Sequence, residues 1–241
     1  MGIPLRRQTL CDWTGWCSDQ VAPLVRAIRA YILRQDCVQS DETRVRMQLR
    51  DGQMHRARLW AYGLPWAEVV FDFRTNKSHH GPEQWLKGGQ ARYIQADGGS
   101  SYGPVMENLA ELLRLFADMR PPKTPFARAM SYAEGQWPAM MRYLEVPEAE
   151  LDNNSIEHAL RSVGMGRRNG LHVGQEVGGE RAANLFTLMR SCRRLGVEPY
   201  GYLCDIIPRL GRHPRKDIWD LTPRGWRDSR ARAAGAAVPP D

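Results

Sequence analysis

Long apolar runs are missing from this chain. No stretch of its 241 residues approaches about 18 consecutive apolar positions, so no membrane span is expected. The segment Met1 to Leu10 has no apolar core of the kind a secretory leader carries, so none is expected. Cysteine is sparse and without pattern. Cys11, Cys17, Cys37, Cys192 and Cys204 form no CxxC pair and no Cys–His spacing of a metal site. An odd number of cysteines without a leader fits reduced thiols that serve packing. No internal repeat occurs. What remains is an ordinary globular composition, 42% hydrophobic and 25% charged, in a chain long enough to bury a full core.

Charge is unevenly spread. The net charge is +7, and residues 161–241 hold 15 Lys and Arg against 8 Asp and Glu, which is the whole excess. Residues 1–160 hold 19 of each sign. A localised basic third is the electrostatic footprint of a polyanion partner, although a solvated basic surface gives the same count.

The apolar spacing predicts a helix over residues 7–35, with Leu10, Trp13, Val21, Leu24, Val25, Ile28 and Ile32 on one face. Strand signals follow. Cys37 to Leu49 alternates Val45, Met47 and Leu49 against Arg44, Arg46 and Gln48; the turn Asp51-Gly52 leads to Met54–Tyr62; Ala67–Phe73 makes a third strand. A short helix is expected over Pro82–Lys87 and a fourth strand over Ala91–Asp97, halted by Gly98-Gly99. The remainder reads as helical: Val105–Met119, Phe126–Leu144, Asn154–Val163, Glu180–Leu195 and Tyr200–Leu210, with a frayed tail from Asp228.

Three acids fall at informative places. Asp41 lies inside the first strand signal, Asp97 ends the fourth, and Glu157 lies in the first turn of a helix. If the two strands are neighbours, both aspartates can share one Mg²⁺, and the glutamate completes a second site. Two hard cations on oxygen ligands activate a water or a 3′-hydroxyl and stabilise the leaving oxygen. Each acid alone also has a structural reading: an interrupted edge strand at Asp41, a turn start at Asp97, a capping box from Asn154 to Glu157.

The segment Asp152-Asn153-Asn154-Ser155-Ile156-Glu157-His158-Ala159-Leu160-Arg161 resembles a signature of the insertion sequence 66 transposases. So do Gly166-Arg167-Arg168-Asn169, Gly174, Gly178-Gly179-Glu180-Arg181-Ala182-Ala183 and Gly196-Val197-Glu198-Pro199 with Tyr202-Leu203. Upstream, Gly2-Ile3-Pro4-Leu5, Arg7-Gln8-Thr9-Leu10, Asp41-Glu42-Thr43, Leu59-Trp60 and Gln95-Ala96-Asp97-Gly98 follow the same family's order. The resemblance covers most of residues 1–226.

It implies a ribonuclease-H-like α/β fold, a mixed sheet with flanking helices and a helical C-terminal extension. It implies a DDE-type DNA transposase that cleaves and joins transposon ends. Asp41, Asp97 and Glu157 would be catalytic and hold two Mg²⁺ or Mn²⁺ ions. Arg161, Arg167, Arg168 and Asn169, with Arg181, Arg190, Arg193 and Arg194, would bind DNA. The expected partners are terminal inverted repeats, target DNA and further copies of the chain on that DNA, in the bacterial cytoplasm at the nucleoid, with no membrane.

The implied layout is a helical segment at 1–36, a catalytic core at 37–165 with a shortened helical insertion about 104–150, a basic helical region at 166–226 and a flexible tail at 227–241. The sequence also departs from the family. It begins after the family's DNA-binding helices and zinc segment. The interval from Asp97 to Glu157 is short and has no cysteine, so the strand with a Cys-Trp-Ala-His-like motif reads as deleted. Gly170 and His172 stand where aromatic residues are usual. A catalytically inactive remnant that only binds DNA is the alternative reading.

Overall fold

The computed structural model describes residues 4–76, 80–91, 93–96, 124–142, 152–168 and 172–235. Helix α1 (Arg7–Ile32) precedes three strands, β1 (Cys37–Gln48), β2 (Met54–Gly63) and β3 (Val69–Arg74). Then come α2 (His80–Leu86), β4 (Tyr93–Ala96), α3 (Pro125–Arg142) and α4 (Asn154–Arg168). The chain continues with β5 (His172–Gly174), α5 (Gln175–Arg194), α6 (Pro199–Leu210), a 3₁₀ segment (Arg215–Leu221) and α7 (Pro223–Ala233). The helix expected over Val105–Met119 lies outside the described residues.

The strands β1, β2 and β3 form an antiparallel meander, and β4 and β5 both pair with β1 in parallel. The alternation seen in the sequence sets the faces: Val45 and Met47 are buried, Arg44, Arg46 and Gln48 exposed. On one face, Val45, Met47, Ala57, Leu59, Ala61, Phe71 and Phe73 meet Ile156, Ala159, Leu160 and Val163 of α4. On the other, Val38, Tyr62 and Val70 meet Val21, Leu24, Val25, Ile28 and Ile32 of α1. The result is a mixed α/β fold, a mixed sheet between helices.

Helix α5 covers the free edge of β3. The Thr187 hydroxyl accepts from the Phe71 N–H at 2.9 Å; the Ser191 hydroxyl accepts from the Val69 N–H at 3.2 Å and donates to the Val69 carbonyl at 3.0 Å. These two residues are one turn apart, matching the two-residue step of an edge strand whose backbone would otherwise invite another chain. Gly179 lets the same helix approach, since a Cβ there would sit 2.4 Å from the Phe73 ring.

Three expectations from the sequence need correction. The buried stripe of α1 starts at Gly15 and Ser18, while Leu10 and Trp13 are exposed, because nothing described packs on the first two turns. Helix α5 begins at Gln175, not Glu180; the helix runs through Gly178-Gly179, and Gly179 packs closely on Phe73. The segment from Asp228 continues in α7 to Ala233, because Thr222 caps that helix by accepting from the Gly225 N–H and Pro223 starts it. Among the described residues no helix is long and apolar enough to cross a membrane.

Candidate active site

The chain segments beside the three acids are joined by specific bonds. Strand β4 runs parallel to β1 with Ala96 paired to Ser40, so the residues preceding Asp97 and Asp41 are neighbours across the sheet. The Asn153 side-chain amide donates to the Ser40 carbonyl at 3.2 Å, tying the start of α4 to β1. The Gln95 amide donates to the Asp152 carbonyl at 2.7 Å, tying the same start to β4. A third bond, Gln39 to Gln95 at 3.4 Å, lies across the strand pair. At the buried amides of Gln39 and Asn153 an unmade bond would be costly.

Asp41 is half-buried and accepts the Glu42 N–H at 2.7 Å. By the period-two alternation it shares the face of Val45 and Met47, the face α4 covers. Its cross-strand partner Ala61 packs in the same cluster as Ile156, the neighbour of Glu157. Glu157 stands exposed in the first turn of α4. The capping-box alternative for it has no bond to support it: Asp152 Oδ1, not Glu157, accepts the Asn154 N–H, at 2.9 Å. Asp97 lies outside the described residues, as does Asn169.

The basic residues divide by what they touch. Arg161 and Arg193 are exposed. Arg167 and Arg168 lie in the last turn of α4. Arg181 donates from Nε and Nη2 to the two carboxylate oxygens of Asp19 of α1, at 3.0 and 2.6 Å. Arg190 is buried and donates to the His158 carbonyl at 2.6 Å. Arg194 donates to the Ser155 carbonyl at 2.9 Å, and to the Ser155 hydroxyl and the Leu64 carbonyl at 2.6 Å each. One turn apart on α5, Arg190 and Arg194 thus hold the first turns of α4 from below, and Arg194 also holds the β2–β3 turn. Desolvation, with the charges of Arg190, Arg161 and Arg194, keeps the His158 imidazole below its ordinary pKa.

That β2–β3 turn is fastened at its other end by α7. Arg224 and Glu68 form a buried ion pair in which two guanidinium nitrogens meet both carboxylate oxygens, with Nη2 2.9 Å from Oε2. Sequence reasoning missed this pair and Trp66, and gave Gln95, Asn153 and Ser155 no role of their own within the motifs that hold them. Each carries a common polar or aromatic side chain, and only the fold supplies its partner.

Among the described residues no three His, Cys, Asp or Glu side chains gather as a metal site. Asp41 and Glu157 are oxygen donors, and the buried Asn153 Oδ1 has no hydrogen-bond donor among the described residues.

A family model described as "Transposase IS66 family" matches residues 1–108 and 100–181, and one described as "IS66 C-terminal element" matches residues 187–224. Two curated relatives from Sinorhizobium fredii (strain NBRC 101917 / NGR234) bear the names "Uncharacterized protein y4hP" and "Uncharacterized protein y4jD". The first is 31% identical over 135 residues, 56% of this chain and 24% of that protein. The second is 32% identical over 127 residues, 52% and 25% respectively. The chain therefore spans about a quarter of the length of these relatives. No solved structure matches. The stretch 187–224 is the part of the chain that supplies Thr187, Arg190, Ser191, Arg194 and Arg224 to the contacts above.

Proposed function

This chain belongs to the transposase IS66 family, and we propose on that premise that it carries the catalytic centre of a DDE-type DNA transposase built on a ribonuclease-H-like sheet. The acids are Asp41, Asp97 and Glu157. The observation that carries the reading is the bonding of their flanking residues: Ser40 to Ala96 across the sheet, Asn153 to Ser40, and Gln95 to Asp152. An antiparallel meander with further strands parallel to β1, and an acid helix on one face, is the frame such a centre needs.

The three carboxylates would hold two divalent cations, Mg²⁺ or Mn²⁺. Such ions supply charge stabilisation at the attacking and leaving oxygens of a phosphodiester. The chain's own groups do the rest. Arg190 and Arg194 keep α4, the helix that carries Glu157, seated against the sheet. Arg161, one turn on from Glu157, and Arg193 present exposed guanidinium groups for backbone phosphates, with Arg167 and Arg168 continuing the basic run along α4. The Arg181–Asp19 pair ties α1 to α5, and we assign Arg181, Arg190 and Arg194 to the scaffold of the site. The partners would be terminal inverted repeats and target DNA, with copies of the chain assembling on them, in a bacterial nucleoid setting.

The test is to incubate the chain with inverted-repeat DNA and Mg²⁺ or Mn²⁺, beside Asp41→Asn, Asp97→Asn and Glu157→Gln. Metal-dependent nicking lost in all three variants is the expected result. DNA binding without nicking by any of the proteins would favour the binding-only remnant and refute the enzyme.

A further inference from the structure

We propose that Trp66 is a stacking platform for an unpaired DNA base beside the acid site. The proposal rests on the DNA reading above and extends it to how the strand is held. Trp66 is 57% exposed. Its backbone has φ +51°, a conformation that bulky residues rarely adopt. Such a conformation persists only where the surroundings dictate it.

Here they do so at several points. The Trp66 N–H donates to the Ser155 hydroxyl at 2.8 Å. The Leu64 N–H donates to the Glu68 carbonyl at 3.0 Å, and the Ala67 N–H to the Leu64 carbonyl at 3.3 Å. Arg194 holds Leu64 and Ser155, and Arg224 holds Glu68. The fold thus fastens every part of a strained turn and leaves a large indole facing solvent.

The position of that indole says what it meets. Ser155, its anchor, is two residues before Glu157. The His158 ring lies 6.2 Å from the indole, tilted by 46°. Arg190 donates to the His158 carbonyl at 2.6 Å, and Arg194 to the Ser155 carbonyl at 2.9 Å and hydroxyl at 2.6 Å, so two guanidinium groups lie behind this pair of rings. An exposed indole backed by arginines suits a polyanion that also offers π-faces, which is a nucleic acid strand with a base out of the stack. Duplex DNA keeps its bases inside, so an indole here acts only where pairing is broken, as at a frayed or cleaved end.

The experiment measures binding of the chain, with EDTA present, to two labelled DNAs: a blunt duplex and a duplex with a short unpaired tail carrying 2-aminopurine. Trp66→Ala should weaken tailed DNA by roughly 5- to 150-fold, the worth of one stacked base, and leave blunt duplex within about two-fold. Trp66→Phe should retain most of the affinity, and wild type should quench the 2-aminopurine. Equal affinities of wild type and Trp66→Ala for tailed DNA, or equal losses on both DNAs, would overturn the proposal alone. Failure of the wild-type chain to bind either DNA would overturn the DNA reading and the proposal with it. A change of oligomeric state in Trp66→Ala, with DNA affinity unaltered, would assign the indole to a contact between copies and also refute it.

Discussion

The buried pair Arg224–Glu68 is where the C-terminal segment locks the candidate site, and Arg224→Met isolates it. Glu68 is 1% and Arg224 7% exposed at the side chain. The substitution preserves the apolar stem and removes the charge, leaving the Glu68 carboxylate buried with its partner gone. Breaking a buried pair from one side costs about 3–5 kcal/mol, more than the pair itself contributes, because an uncompensated charge remains. Loss of the guanidinium over Tyr31, 5.4 Å from that ring, adds a smaller effect, about 0.5–1 kcal/mol. At about 2–4 °C per kcal/mol for a domain of this size, the melting temperature should fall by roughly 7–24 °C. Urea unfolding followed by circular dichroism gives the free energy directly, with an unchanged m-value as the check that the native state is intact. A second variant, Glu68→Met with Arg224→Met, should lose less than Arg224→Met alone, since no charge is then stranded. A loss below about 1 kcal/mol for Arg224→Met, or a double variant worse than the sum of the singles, would refute the reasoning and mean that water reaches the pair.

The adjacent glycines of α5 should respond with opposite signs. Gly179→Ala forces a Cβ into the Phe73 ring and should cost about 1–3 kcal/mol, whereas Gly178→Ala meets nothing within 4 Å and should gain about 0.5–1 kcal/mol; guanidinium midpoints decide. Burial pushes the Cys192 thiol up to about 12, so at pH 8 iodoacetamide should label exposed Cys11 and Cys204 quickly, and Cys192 only after denaturant is added. Mass spectrometry of the labelled peptides would contradict this if Cys192 reacted in the native chain at the rate of Cys204.

The outer half of β1 was legible because over residues 44–48 one side of the strand is buried and the other exposed. The alternation of Val45 and Met47 with Arg44 and Arg46 fixed the register of β1, and Asp51-Gly52 announced the turn, where Gly52 takes φ +84°. Strand β5 was not legible: three residues carry no period. From Asp228 the Ala- and Arg-rich segment reads as tail, although α7 runs on to Ala233; Thr222-Pro223 was the available signal, a cap followed by proline. Glu157 and Asp41 could be singled out as acids on a helix and a strand. The amides of Gln95 and Asn153, which hold those elements together, are indistinguishable in sequence from surface residues. Arginine charge likewise does not say whether its partner is a phosphate or the backbone of the next helix, as Arg190 and Arg194 make plain.

The proposed convergence of Asp41, Asp97 and Glu157 on a shared two-cation centre is tested most directly by replacing Mg²⁺ with Fe²⁺ and generating hydroxyl radicals there with ascorbate and peroxide. Radicals formed at a bound ion cut the backbone within a few ångströms of it. The account predicts three sets of fragments, ending near residues 41, 97 and 157, all suppressed by excess Mg²⁺ and by Asp41→Asn. Cuts confined to one of these segments, or an unchanged pattern in Asp41→Asn, would contradict it.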